Sequence, residues 1–360
     1  MRKSFKFATA ALLAAAAIGL VACSSKKDSD KAANSKGGDY RVEGIAKGFQ
    51  HDFWKAVNKG AEQAADEFGA KITFVGPQNE TAIAEQLEQL NNAINKNPDA
   101  IALAALDTES ELDAIKQAQA KNIPLIGFDS GVPGAPDGAI KATASTDNHA
   151  AGANAAEHLF PLLEKKLGDK PIRIGVVSQE ANSLSITQRT SGFIDKMVEL
   201  LEKKGIKTAV VGHDKFKNNV SESDAKAIIE VRVPAQVDDA AGKTEASTVL
   251  EKSDTVAIYG SNEFAAKAII NANGSFKESK LGADKILAVG FDSGALQQDA
   301  IRNGLFVGSV TQDPIQIGYQ SVKLAIEAAQ GKEVKDVDTG SKWYDAKNID
   351  SDEIKPLLYQ

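Results

Sequence analysis

The sequence predicts an α/β protein of two doubly wound parallel-sheet lobes, on three observations. From Tyr40 onward, short apolar runs alternate with amphipathic stretches, the pattern of strands flanked by helices. After Asn148 the alternation starts again. The pentapeptide Gly-Phe-Asp-Ser-Gly closes an apolar run twice, at 127–131 and at 290–294. A chain of 360 residues with 42% hydrophobic content also has the length for two domains of roughly 150 residues each.

The N-terminus carries Arg2, Lys3 and Lys6, then an apolar stretch from Phe7 to Val21, then Leu20-Val21-Ala22-Cys23. The apolar stretch is shorter than the ~20 residues that a spanning helix needs, so residues 1–22 read as a secretion signal. Leu-Val-Ala-Cys resembles the lipobox of bacterial lipoproteins, and that resemblance makes Cys23 a lipidation site. Cys23 is the single cysteine, which excludes an intrachain disulfide framework. Residues 24–39 have almost no apolar side chains and cannot bury enough surface to offset chain entropy. Residues 23–39 are therefore expected to be a flexible tether.

In the first lobe, strands are expected at 40–46, 72–75, 100–105, 124–128 and 139–143. Phe53, Val57, Ala61, Ala64 and Phe68 recur at helical spacing, as do Ile83, Leu87, Leu90 and Ile94. Thr108 with Glu111 reads as a capping box that opens a further helix, with Leu112 and Ile115 on its buried side. In the second lobe, strands are expected at 172–177, 208–212, 255–259, 286–291 and 305–310.

Several function classes are excluded or unsupported. The net charge is −7 and no run of Lys and Arg could neutralise a series of phosphates, so nucleic acid is not an expected partner. The Gly242-Lys243-Thr244 triplet lacks the earlier P-loop glycine, because Val237 stands there. The four histidines form no His-Glu-x-x-His, and there is no Gly-x-Ser-x-Gly elbow. No cofactor and no metal are expected.

In open parallel sheets, ligands bind beyond the carboxyl ends of the strands. Both copies of the pentapeptide end strands, so each lobe projects one carboxylate, Asp129 and Asp292, from the same point of its architecture. Alone, either aspartate fits ordinary Asx-turn chemistry; as a pair they suit a ligand held between lobes. They could serve a glycosidase as acid and base, or accept hydrogen bonds from sugar hydroxyls. After the first strand comes GFQHDFW, 48–54, which puts His51, Phe53 and Trp54 at the mouth of the first lobe, where aromatic faces suit the C–H side of a sugar ring.

Taken together, GFQHDFWKAVNKGAEQAADEFG, IPLIGFDSG, ATASTDNHAAG, ITQRTSGF, YGSNEFAAKA, ILAVGFDSG and GSVTQDPIQIGYQSV resemble the type I periplasmic sugar-binding proteins of ABC importers, in the order that family shows them. The resemblance is nearest to its ribose- and glucose-binding members and covers Tyr40 to about Lys335. It implies lobe one at 40–146 plus 313–341, lobe two at 147–312 plus 342–360, and a three-segment hinge. It also implies ligand contacts at His51, Phe53, Trp54, Asp129, Thr146, Arg189, Asn262, Asp292 and Gln312, with Phe216 as the second lobe's aromatic. The implied function is capture of a monosaccharide or polyol by a monomer held outside the cytoplasmic membrane, with delivery to ABC permease subunits that work with a cytoplasmic ATPase. No catalysis is implied. A sensor that presents the sugar to a chemoreceptor or kinase would use the same pocket. Two positions depart from the ribose-binding pattern: Ala104 where a polar residue is expected, and Ser130 where a basic one follows the first aspartate. Both point away from ribose itself. A LacI-type repressor shares the architecture but needs an N-terminal helix-turn-helix where this chain has a secretion signal.

Overall fold

A computed structural model describes residues 39–49 and 51–359; the expected signal, Cys23 and all but the last residue of the expected tether lie outside them. The first sheet uses β1 (Arg41–Ile45), β2 (Lys71–Val75), β3 (Ala100–Leu103), β4 (Leu125–Phe128) and β5 (Ile140–Ser145), with α1 (Asp52–Phe68), α2 (Ile83–Asn95) and α3 (Leu112–Ala120) between them. The second lobe runs α4 (Asn148–Leu163), β6 (Ile172–Val177), α5 (Leu184–Glu202), β7 (Thr208–Val211), β8 (Ala227–Arg232), α6 (Asp239–Leu250), β9 (Thr255–Gly260), α7 (Glu263–Asn273), β10 (Leu287–Phe291), α8 (Ala295–Arg302) and β11 (Phe306–Gln312). It is followed by α9 (Pro314–Ala329), β12 (Val337–Asp338) and β13 (Ser341–Tyr344).

The sheet orders are β12-β5-β4-β3-β1-β2 and β13-β11-β10-β9-β6-β8-β7. All pairings are parallel except β11 with β13, an antiparallel edge. The first sheet reverses direction between β1 and β3, the switch point at which loops splay apart to leave a crevice. β8 is a strand that the sequence reading lacked. It pairs with β6 and pushes β7 to the outer edge of the second sheet.

The chain passes between the lobes three times: from β5 into α4, from β11 into α9, and through Thr339 and Gly340 between β12 and β13. The first and third passages are tied together. Thr146 Oγ1 donates to the Gly340 carbonyl at 3.1 Å, Thr339 N donates to the Ser145 carbonyl at 3.0 Å, and Asp147 N donates to Asp338 Oδ1 at 3.2 Å. Gly340 sits at φ 78°, a left-handed conformation that a side chain resists, so this two-residue crossing depends on glycine.

Each lobe has one helix pair at backbone-contact distance. A Cβ on Gly60 would stand 1.9 Å from the Ile315 carbonyl oxygen, joining α1 to α9; a Cβ on Gly192 would stand 2.0 Å from that of His149, joining α5 to α4. The second approach matters for the site, because it fixes the helix that carries Arg189.

The expected capping box at Thr108 does not form. Asp107 Oδ1 instead accepts from the amides of Glu109 and Ser110 at 2.9 and 2.7 Å, and α3 begins only at Leu112. Glu111 is fully buried with neither carboxylate oxygen bonded. Burial, reinforced by the charge of Asp107, pushes its carboxyl from 4.5 up to about 7. The folded protein holds this proton where the unfolded chain would have released it. The stabilisation is therefore full below about pH 4.5 and is lost as pH rises through 7. Glu111→Gln is expected to lose less stability than wild type between pH 5 and pH 8, as read by thermal melts at the two values.

Candidate functional site

The repeated pentapeptide does the same work in each lobe. Asp129 follows β4 and Asp292 follows β10, and both adopt left-handed backbone, at φ 55° and 76°. Aspartate tolerates that region better than most residues because its short side chain can bond locally. Each aspartate amide then continues the sheet by donating to the next strand, Asp129 N to Ala144 O at 3.0 Å and Asp292 N to Val310 O at 2.7 Å. The turn lifts each carboxylate off the end of its sheet. The last glycine of the second copy has its own role: a Cβ on Gly294 would come within 2.5 Å of Glu263 Oε1.

The two carboxylates meet the same guanidinium. Arg189, on α5, places NH2 3.5 Å from Asp129 Oδ1 and NH1 3.5 Å from Asp292 Oδ2. Its Nε donates to Asn148 Oδ1 at 2.7 Å, and its plane lies 4.2 Å from the centre of the Phe291 ring. Asn148 is on α4, so the close α4–α5 packing through Gly192 aligns donor and acceptor. All three charged side chains are nearly inaccessible to solvent. Burial raises the Asp292 carboxyl, Asp129 adds to this, and Arg189, Gln312 and the Glu263 amide oppose it.

A second cation comes from a residue that the sequence reading did not single out. Lys47, 2% exposed, follows β1 and puts Nζ 2.9 Å from Asp129 Oδ2 and 2.7 Å from Ser185 Oγ across the cleft. The positive charge missing at Ser130 is thus supplied beside Asp129 by another loop. Glu80 Oε1 accepts from Trp54 Nε1 at 2.6 Å, and Glu80 Oε2 accepts from Gln179 Nε2 of the other lobe at 2.8 Å. His51 Nε2 stands 4.0 Å from the same carboxylate. Phe53 packs edge-on to Trp54 with centroids 5.0 Å apart and also meets Tyr359 of the C-terminal tail at 6.1 Å.

His51, Phe53, Trp54, Asp129, Arg189, Asn262, Asp292 and Gln312 line one cavity between the lobes, together with Lys47, Glu80, Ser185, Ile186 and Glu263. Counted with its mouth, the cavity holds about 290 Å³, and crowded side chains fill most of its interior. A ring-sized ligand therefore enters only when the lobes part. Asn262 is already engaged: its Oδ1 caps α7 by accepting from Ala265 N at 3.0 Å, and its Nδ2 donates to Gln179 Oε1 at 2.8 Å. Gln312 donates from Nε2 to Asp292 Oδ1 at 2.7 Å and leaves Oε1 without a partner.

Two expected contacts are not in this cavity. Thr146 lies in a groove at the hinge, its hydroxyl spent on Gly340. Phe216 packs against His213 and the second lobe's core, and Ile186 is the apolar side chain that lobe two brings to the cavity. Lys47 and Glu80 were missed because neither belongs to a motif. Their one signal is position, shortly after an apolar run that ends as a strand.

Comparisons with known proteins bear on the family and the fold. The sequence model described as periplasmic binding protein domain matches residues 44–333. The D-allose-binding periplasmic protein of Escherichia coli is 24% identical over 312 residues, 85% of this chain and 89% of that one. The ribose import binding protein of Haemophilus influenzae is 26% identical, covering 79% and 83%. Among solved structures, an ABC transporter, LacI family transcriptional regulator from Brachyspira murdochii superposes with a TM-score of 0.75 at 39% identity, covering 89% of this chain and 99% of that one. An ABC transporter solute binding protein from Agrobacterium vitis, with bound D-fucose, gives 0.73 at 28% identity, covering 89% and 100%.

Proposed function

The chain belongs to the periplasmic binding protein domain family, and on that premise we propose that it captures a monosaccharide or polyol between its lobes and delivers it to the permease of an ABC importer. The observation that carries this reading is the pair Asp129 and Asp292, one at the end of a strand in each lobe, facing one cavity through Arg189. Carboxylates accept hydrogen bonds from adjacent hydroxyls, and a guanidinium offers donors in a fixed fork. Phe53 and Trp54 supply the aromatic wall.

The mechanism is hinge closure. Contacts to a ligand from both lobes exist only when the cleft is shut, so binding draws the protein toward that state, which the permease then recognises. The three passages between the lobes, near 146, 313 and 340, are the segments that bend. The sugars named for the relatives, D-allose, ribose and D-fucose, support the monosaccharide class. The Leu-Val-Ala-Cys sequence ending at Cys23 supports a lipid anchor that holds the protein outside the cytoplasmic membrane. The reading involves no chemical transformation of the sugar.

A thermal-shift screen of the chain from residue 24 onward, against pentoses, hexoses, ketoses, polyols and short oligosaccharides, tests it. A ligand at about 100 times its dissociation constant adds roughly 2.7 kcal/mol to stability. A response to one or a few monosaccharides is expected. A response to oligosaccharides alone, or to nothing in the panel, would refute the proposal.

A further inference from the structure

Among the described residues, Glu263 is the carboxylate of the cavity with no cation within 4 Å. Lys47 faces Asp129 at 2.9 Å, Arg189 reaches Asp129 and Asp292 at 3.5 Å each, and His51 stands 4.0 Å from Glu80. Among the described residues no Lys, Arg or His comes within 4 Å of Glu263 in the same way, and its Oε2 is buried without a hydrogen-bond partner. The other oxygen lies where a Cβ on Gly294 would come within 2.5 Å of it. Gln312, 1% exposed and lining the same cavity, also has its Oε1 unbonded. Two buried acceptors in one cavity call for a group that donates more than once.

We propose that the ligand carries a protonated amine, as an amino sugar does, and that Glu263 selects for it, with Gln312 Oε1 as a second acceptor. This rests on the cleft being a monosaccharide site. A hydroxyl donates one hydrogen bond and brings no charge, whereas an ammonium donates three and supplies the cation that Glu263 lacks. The charge balance agrees. Four carboxylates, Glu80, Asp129, Glu263 and Asp292, share the cavity with the two fixed cations Lys47 and Arg189. The groups that face Glu263 are His51 and Asp52 from the start of α1, Glu80 from the loop after β2, and Asp292 from the end of β10, with Lys55 farther along α1. Burial first, opposed by His51 and reinforced by Asp292, pushes the Glu263 carboxyl up to about 7, as an unpaired site should be.

Calorimetric titrations at pH 7 with matched pairs, each a hexose and its 2-amino or 6-amino counterpart, decide the matter. In the pair that binds, the amine is expected at least tenfold tighter, and Glu263→Gln is expected to bring the two affinities together. A neutral sugar that binds as tightly as its amine in every responding pair, or a preference that survives Glu263→Gln, would overturn the inference while leaving the monosaccharide site intact. Silence from every pair and from the wider panel would remove the site and the inference together.

Discussion

Arg189→Met is expected to abolish measurable sugar binding and to leave the lobes apart. Among the described residues, the guanidinium is the one cation that reaches both Asp129 and Asp292. Methionine fills a similar volume but leaves Asp292 without its cation and Asp129 with Lys47 alone. Removing one partner of a buried ion pair costs on the order of 3 to 5 kcal/mol, because the remaining charge stays desolvated. Here part of that penalty has an outlet. Asp129 and Asp292 sit in different lobes, so opening the hinge rehydrates both. The fold itself should therefore lose less than the full amount, while closure is disfavoured by most of it. Scattering should show a larger radius of gyration than wild type, and affinity should fall at least a hundredfold, about 2.7 kcal/mol. A variant that stays closed and binds would show that Arg189 is a structural ion pair only.

Asp129→Asn probes the other half of the charge arrangement. It strands Lys47, whose side chain is 3% exposed and has Asp129 as its carboxylate partner within 4 Å. The single substitution is expected to weaken binding by at least tenfold and to cost about 3 kcal/mol in the closed form. Lys47→Met combined with Asp129→Asn should recover much of the stability but none of the affinity, because the stranded charge is gone while the acceptor is still missing. Denaturant melts of the two singles and the double give the coupling, which should exceed about 1 kcal/mol for side chains in direct contact. Additive effects would mean that Lys47 does not depend on Asp129.

Much of the fold was legible because strand ends and apolar periodicity agree. The expected 172–177 strand is β6 residue for residue, and most others differ at the ends by one or two. What was not legible had physical reasons. β8 lies in a polar stretch where Glu230 and Arg232 interrupt the apolar pattern, and its glutamate is buried only because Arg173 and Lys252 pair with it at 2.6 Å. β12 is two residues long, and β13 is an edge strand placed by the tail's return. The turn before α3 is closed by Asp107, which reaches two amides, and α3 starts at Leu112 with no side-chain cap.

The site divides along the same line. Asp129, Asp292, Arg189 and the aromatic pair stood out because they belong to repeated or recognisable segments. Lys47 and Glu80 acquire meaning only when the lobes face each other, since each bonds a residue more than ninety positions away. Thr146 runs the other way: a segment at the hinge suggested a ligand contact, and the structure bonds its hydroxyl to the Gly340 carbonyl of the hinge.

In this mechanism one sugar is held by a carboxylate from each lobe, Asp129 and Asp292. Isothermal titration of the chain with the sugar that gives the largest thermal shift, alongside Asp129→Asn and Asp292→Asn, tests it most directly. One site per chain is expected, with each substitution weakening affinity at least tenfold. Affinity unchanged by both substitutions would contradict it, and would move the binding site away from the cleft between the lobes.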